Sequence, residues 1–194
     1  MERKPLLISS LLIALVIIGA SFFYGGEATA EDAKPKVSEA SMLGSMSTEG
    51  EYAGSSLVLK NLAGEDVAVK DYEGKVVLIN IWAWWCPPCI KEIPDLIKLR
   101  NTYKDQDFEV LGIAISDKGQ SQKVDQMVEN FNIDYPVLRG DAKIDQIMQD
   151  FGQITSIPRS FVLNGKGEVV EDISGMRNYA FFEAAIKKHM KPKS

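Results

Sequence analysis

The chain has 194 residues, 45% of them hydrophobic and 25% charged, which is the composition of an ordinary globular protein with room for one domain plus extensions. A formal net charge of −5 supplies no basic stripe for a phosphate backbone, so the balance argues against nucleic acid as a partner. Nothing repeats at a solenoid period.

At the amino end, Arg3 and Lys4 precede a nearly unbroken apolar run from Leu6 to Tyr24, interrupted by Ser9, Ser10 and Ser21. The run approaches the ~20 residues a helix needs to cross a bilayer. Its positive flank belongs on the cytoplasmic side, which sends everything after Tyr24 across the membrane. Two readings of residues 1–26 stand side by side. A retained signal-anchor fits the length of the run, since a signal peptide usually carries only ~7–15 apolar residues. A cleaved signal peptide fits Ala28-Thr29-Ala30, whose small-x-small form marks a cleavage site near Ala30. The first gives a single-pass membrane protein and the second a secreted or periplasmic one. Both place the domain outside the cytoplasm, where disulfide chemistry is possible. Residues 27–54, rich in Ala, Ser, Glu, Lys and Gly with no sustained apolar period, read as a flexible tether.

The domain is expected over 55–194. Leu57 and Leu59, then Val67 and Val69, alternate with polar residues around Ala63-Gly64-Glu65, the pattern of an N-terminal hairpin. Val76 to Trp82 is apolar and β-branched apart from Asn80, as in a central strand covered on both faces. A helix follows to about Tyr103, with Ile93, Leu96, Leu99 and Tyr103 at helical spacing. Phe108 to Ile115 predicts a second buried strand, and Gln122 to Phe131 a helix. A short strand around Pro136-Val137-Leu138 and a helix from Ile144 to Phe151 come next. Ser160 to Leu163 and Glu168 to Ile173 flank Asn164-Gly165-Lys166-Gly167, a strong hairpin signal. Tyr179 to Met190 closes the chain as a helix. Strands alternating with helices and ending in a hairpin give an α/β fold around a mixed sheet.

Trp85-Cys86-Pro87-Pro88-Cys89 holds both cysteines of the chain. A pair this close removes little unfolded-state entropy, so it is a poor structural staple. At the start of a helix it is equipment for thiol–disulfide exchange. Unpaired backbone N–H groups and the helix dipole favour a thiolate at Cys86, and Pro87 and Pro88 suit a first turn whose donors lack partners. Cys89, one turn further in, is then the resolving thiol. A metal site takes about four ligands, and the chain offers these two cysteines and a remote His189. No cofactor is implied.

The stretch Val77-Leu78-Ile79-Asn80-Ile81-Trp82-Ala83-Trp84-Trp85-Cys86-Pro87-Pro88-Cys89 resembles the active-site strand and loop of membrane-tethered thioredoxin-like proteins of the TlpA/ResA type. The likeness continues through Glu92-Ile93-Pro94, resumes at Ile157-Pro158 and covers about residues 52–190. It implies a thioredoxin-like fold with an N-terminal hairpin and a helix-strand insertion before the proline. It also implies a cis Pro158 packed against the dithiol, with the Ile157 backbone open to an extended substrate segment.

Under the same resemblance Glu92 becomes a proton-handling carboxylate whose charge raises the thiol pKa values; otherwise it reads as a solvated helix residue. Asn80 stands where thioredoxins commonly keep a buried Asp; it cannot titrate, and its plain reading is a hydrogen-bonded core amide. Arg159, where a small hydroxyl residue is common, reads equally as a site cation or a surface charge. Trp82 is expected in the core, and Trp85 on an exposed rim that docks partners.

The potentials of such pairs span ~150 mV between reductants and oxidants. Pro-Pro between the cysteines and an acid at Glu92 disfavour an unusually stable thiolate, which points to a protein-disulfide reductase. The resemblance implies disulfide-containing substrate proteins, with apocytochrome c foremost, and a membrane thiol–disulfide electron donor. A general disulfide oxidase or isomerase is the alternative within redox chemistry. A Cu(I)-handling assembly chaperone using the same two sulfurs is the alternative outside it.

Overall fold

A computed structural model describes residues 53–54, 56–116 and 119–191. The apolar run, the Ala28-Thr29-Ala30 site and the tether up to residue 52 lie outside the described residues. No helix among the described residues is long and apolar enough to cross a membrane.

Strands β1 (Val58–Asn61) and β2 (Asp66–Ala68) form the N-terminal hairpin, followed by β3 (Val76–Trp82), α1 (Pro87–Tyr103) and β4 (Phe108–Ala114). Helix α2 (Ser121–Phe131) and β5 (Val137–Arg139) supply the inserted helix and strand. They lead to α3 (Ile144–Phe151), β6 (Arg159–Leu163), β7 (Val169–Ser174) and α4 (Tyr179–Lys187). One seven-stranded sheet runs β2-β1-β5-β4-β3-β6-β7. The β3/β4 and β4/β5 pairs are parallel and the others antiparallel, so the sheet is mixed. This is the thioredoxin-like architecture expected from the sequence.

Strand alternation sorts the side chains of β3 onto two faces. Leu78 and Trp82 join Cys89, Ile93, Leu96 and Leu99 of α1, with Phe182 and Ile186 of α4, in the core on one side. Val77, Ile79 and Ile81 pack with Leu57, Leu59 and the α3 residues Ile147 and Phe151 on the other. Every residue of β3 and β4 is buried, as a central strand covered on both faces requires. Pro94 sits inside α1 without ending it.

Most boundaries fall within a residue of the sequence expectation, and three of the differences have a visible cause. Val69 keeps a strand-like bond from its N–H to the Leu57 carbonyl at 3.1 Å, but it opens a 3₁₀ turn, Val69–Tyr72. The Asp71 carboxylate accepts the Ala68 N–H at 3.1 Å and curls the chain there. Strand β7 begins at Val169, because Glu168 is drawn into the turn by Asn164. Helix α4 ends at Lys187 rather than Met190: the N–H groups of His189 and Met190 both fold onto the Ile186 carbonyl, and Lys188 pairs with Glu171 of β7 at 2.7 Å.

Candidate functional site

Strand β3 ends at Trp82 in the middle of the sheet, and the chain turns there because the Cys86 N–H bonds the Ala83 carbonyl at 3.1 Å. Cys86 takes the extended conformation of a helix N-cap (φ −99°, ψ 100°), and its sulfur accepts the Cys89 N–H at 3.3 Å. Pro87 and Pro88 fill the first helical positions, where a missing donor costs nothing. Cys86 and Cys89 are joined as a disulfide. Both sulfur-bearing residues are buried, Cys89 slightly more deeply than Cys86. Trp82 is wholly buried, Trp84 is half-buried under Lys123, and Trp85 is 49% exposed beside the disulfide.

The entry to β6 arrives from the opposite direction. The Ile157–Pro158 bond is cis. The Ile157 carbonyl oxygen lies 3.8 Å from Cys86 Sγ, and the Pro158 carbonyl accepts the Gly175 N–H at 2.9 Å. Pro158 is buried and Ile157 half-buried, so the two segments the sequence singled out meet at the sulfur.

Beneath them lies a polar row. Register pairs Asn80 of β3 with Ser160 of β6 and with Gly112 of β4. The Asn80 amide donates one hydrogen to Glu92 Oε1 at 2.8 Å and the other to Ser160 Oγ at 2.9 Å. The backbone N–H of Arg177 donates to Glu92 Oε2 at 2.7 Å. Glu92 is only 1% exposed, so its reading as a solvated helix residue is set aside. Burial pushes its carboxyl up to about 7; the bonds from Arg177 and Asn80 and the Arg177 charge pull the other way, and Asp95 adds to the rise. A buried acid that titrates near neutrality, one turn beyond Cys89, can exchange protons with groups at the dithiol.

Arg159 leaves the row for the other face. It pairs with Asp172 at 2.6 Å and lies over the Phe161 ring, which answers the open question of its role in favour of a surface ion pair. Lys91, Asp95, Met176, Arg177, Asn178 and Phe181 line an open groove of about 390 Å³ beside α1. Among the described residues no group of three or more His, Cys, Asp or Glu side chains is placed to hold a metal ion. Ser160 and Arg177 were not legible in the sequence. Ser160 acts through strand register, and Arg177 through a backbone N–H that any residue but proline could supply together with a charge that only the fold brings near Glu92.

Comparison with known proteins agrees with this architecture. The profile of the Redoxin family matches residues 30–184. A thiol-disulfide oxidoreductase ResA from Bacillus thuringiensis subsp. konkukian is 29% identical over 188 residues, 96% of this chain and 98% of that protein. A ResA from Halalkalibacterium halodurans is 31% identical over 134 residues, 68% of this chain and 71% of that one. Among solved structures, a thioredoxin-family thiol:disulfide interchange protein from Chlorobium tepidum superposes with a TM-score of 0.64. It is 30% identical and covers 74% of this chain and 99% of its own. The chain belongs to the Redoxin family, within its TlpA/ResA-type group, and is a thiol-disulfide oxidoreductase.

Proposed function

We propose that this protein is an extracytoplasmic disulfide reductase in which Cys86 attacks, Cys89 resolves and Glu92 handles the proton. The observation that carries the reading is Glu92, a carboxyl buried one turn past Cys89, tied by Asn80 and Arg177 and raised to about 7. In the reduced protein the Cys86 thiolate attacks a substrate disulfide, forming a mixed disulfide and expelling one substrate thiolate. Glu92, as carboxylate, accepts the proton of the Cys89 thiol. The Cys89 thiolate then attacks the Cys86 sulfur, closing the Cys86–Cys89 disulfide and expelling the second substrate thiolate. Two electrons pass to the substrate, and a membrane thiol–disulfide donor returns them.

The half-exposed Trp85, Pro87 and the Ile157–Pro158 segment offer the rim on which an extended substrate strand lies. Apocytochrome c, whose haem-attachment cysteines form such a disulfide, is the substrate favoured by the resemblance. The apolar run from Leu6 to Tyr24 supports a membrane tether that holds the domain near its donor.

The test is stopped-flow reduction of a disulfide peptide carrying a Cys-x-x-Cys-His segment by the reduced protein. Glu92→Gln slows closure of the second step on the order of 10²-fold near neutral pH and removes its pH dependence. Equal rates in the two proteins contradict the role of the acid.

A further inference from the structure

Buried polar groups are almost always hydrogen-bonded, so those without a partner mark sites that something else completes. Two of them flank the polar row under the dithiol. The Tyr135 hydroxyl, from the segment leading into β5, and the Trp82 indole N–H, from the end of β3, are both buried and have no hydrogen-bond partner among the described residues.

The edge of the Tyr135 ring and the Trp82 indole nitrogen both lie over Gly112. A Cβ placed there would stand 3.0 Å from Tyr135 Cε2 and 3.1 Å from Trp82 Nε1, so the bare backbone of β4 is what admits the two rings side by side. Gly112 is the register partner of Asn80, the residue that donates to Glu92. Trp82, Tyr135, Cys89 and Ile93 share the same core cluster, so all of these groups occupy the face of the sheet that α1 covers. A carboxylate offers about four acceptor positions. Asn80 uses one on Oε1 and Arg177 one on Oε2, which leaves a lone pair on each oxygen.

We propose that the Tyr135 hydroxyl is a positioning residue for the Glu92 carboxyl, reaching it through one buried water that the Trp82 indole N–H also holds. The chemistry closes: Trp82 can only donate, a hydroxyl and a water each donate and accept, and the carboxylate accepts. A buried water needs two to four polar partners, and this site supplies three. Burial and the charges of Glu92 and Asp134 hold the phenol far above its ordinary range, so it stays a neutral donor throughout the working pH.

The inference rests on Glu92 as the proton-handling group and adds what holds it ready. The water and hydroxyl stabilise the carboxylate and give it a hydrogen-bonded path inside the core. The other groups acting on Glu92 are Asp95 on its own helix, Arg177 before α4 and Asn80 on β3. In the reduced protein the Cys86 and Cys89 thiols join them.

The experiment is carbon-13 titration of the Glu92 carboxyl by NMR in the reduced full-length chain in detergent micelles, for the wild type and Tyr135→Phe. Loss of the hydroxyl raises the Glu92 midpoint by about 0.5–1 unit. An unchanged or lowered midpoint overturns the proposal, as does a loss of thermal stability with no movement of the midpoint. Independently of any variant, the wild-type Trp82 indole N–H shows magnetisation transfer to a long-lived water, and its absence also overturns the proposal. Glu92→Gln separates the two levels. If that variant reduces disulfides at the wild-type rate, the acid has no part in the reaction, while the Tyr135→Phe titration still decides whether the hydroxyl positions it.

Discussion

Asn80 and Glu92 meet at 2.8 Å across the interface between β3 and α1, twelve residues apart in the chain and both almost wholly buried. The amide brings a donor to the acid without bringing a charge. A carboxylate at position 80 would share a proton with Glu92 and spread the titration over a coupled pair. With an amide there, the change in charge beneath the dithiol falls on Glu92 alone.

That isolation gives a stability signature. Glu92 is raised from an ordinary value of 4.5 to about 7 by burial. Below the lower value both folded and unfolded chains hold the proton, and the group has no effect on their balance. Between the two values the unfolded chain ionises first, so stability falls as pH rises; above the upper value the loss is constant. The span corresponds to roughly 3 kcal/mol. Urea unfolding of the wild type and Glu92→Gln at about pH 5 and about pH 8 measures it. The wild type loses stability relative to the variant between the two conditions, whereas parallel changes would show that Glu92 ionises normally. Gln offers one oxygen to two donors, Asn80 and Arg177, so the comparison is of pH dependence and not of absolute stability.

Gly112 predicts a steric effect. The Tyr135 and Trp82 rings stand 3.0 and 3.1 Å from where a Cβ would lie. Both are embedded in a close-packed core and neither end is a flexible side chain. Gly112→Ala therefore costs about 1–3 kcal/mol, read as a lowered midpoint in chemical denaturation. A neutral or stabilising alanine would mean that these rings move freely.

Most of the fold was written in local pattern. Val76–Trp82 and Phe108–Ala114 are short, largely apolar runs of the kind that strands covered on both faces carry, and the Asn164–Gly167 turn set the last hairpin. The ends of elements were harder. Val69 and the turn after Lys187 are decided by the Asp71 side chain and by Glu171 on a different strand. At the site, Cys86, Cys89 and Pro158 carry their chemistry in residue type and spacing. Glu92 by its residues alone read as a solvated helix residue, and only the family resemblance gave it a proton-handling role, because helical spacing does not say what covers it. Ser160, Arg177 and Tyr135 reach the polar row through strand register, a backbone N–H and a ring over a glycine. None of these leaves a mark in sequence.

The central claim is that Cys86 attacks and Cys89 resolves. Its most direct measurement is mass spectrometry of Cys89→Ala and Cys86→Ala variants after incubation with a disulfide-bonded peptide. Cys89→Ala accumulates a peptide adduct on Cys86 that dithiothreitol releases, while Cys86→Ala forms little adduct because Cys86 stands at the N-cap of α1 facing the Ile157 carbonyl and Cys89 lies one turn inside the helix. Adduct forming preferentially on Cys89, or on neither cysteine, would contradict the account.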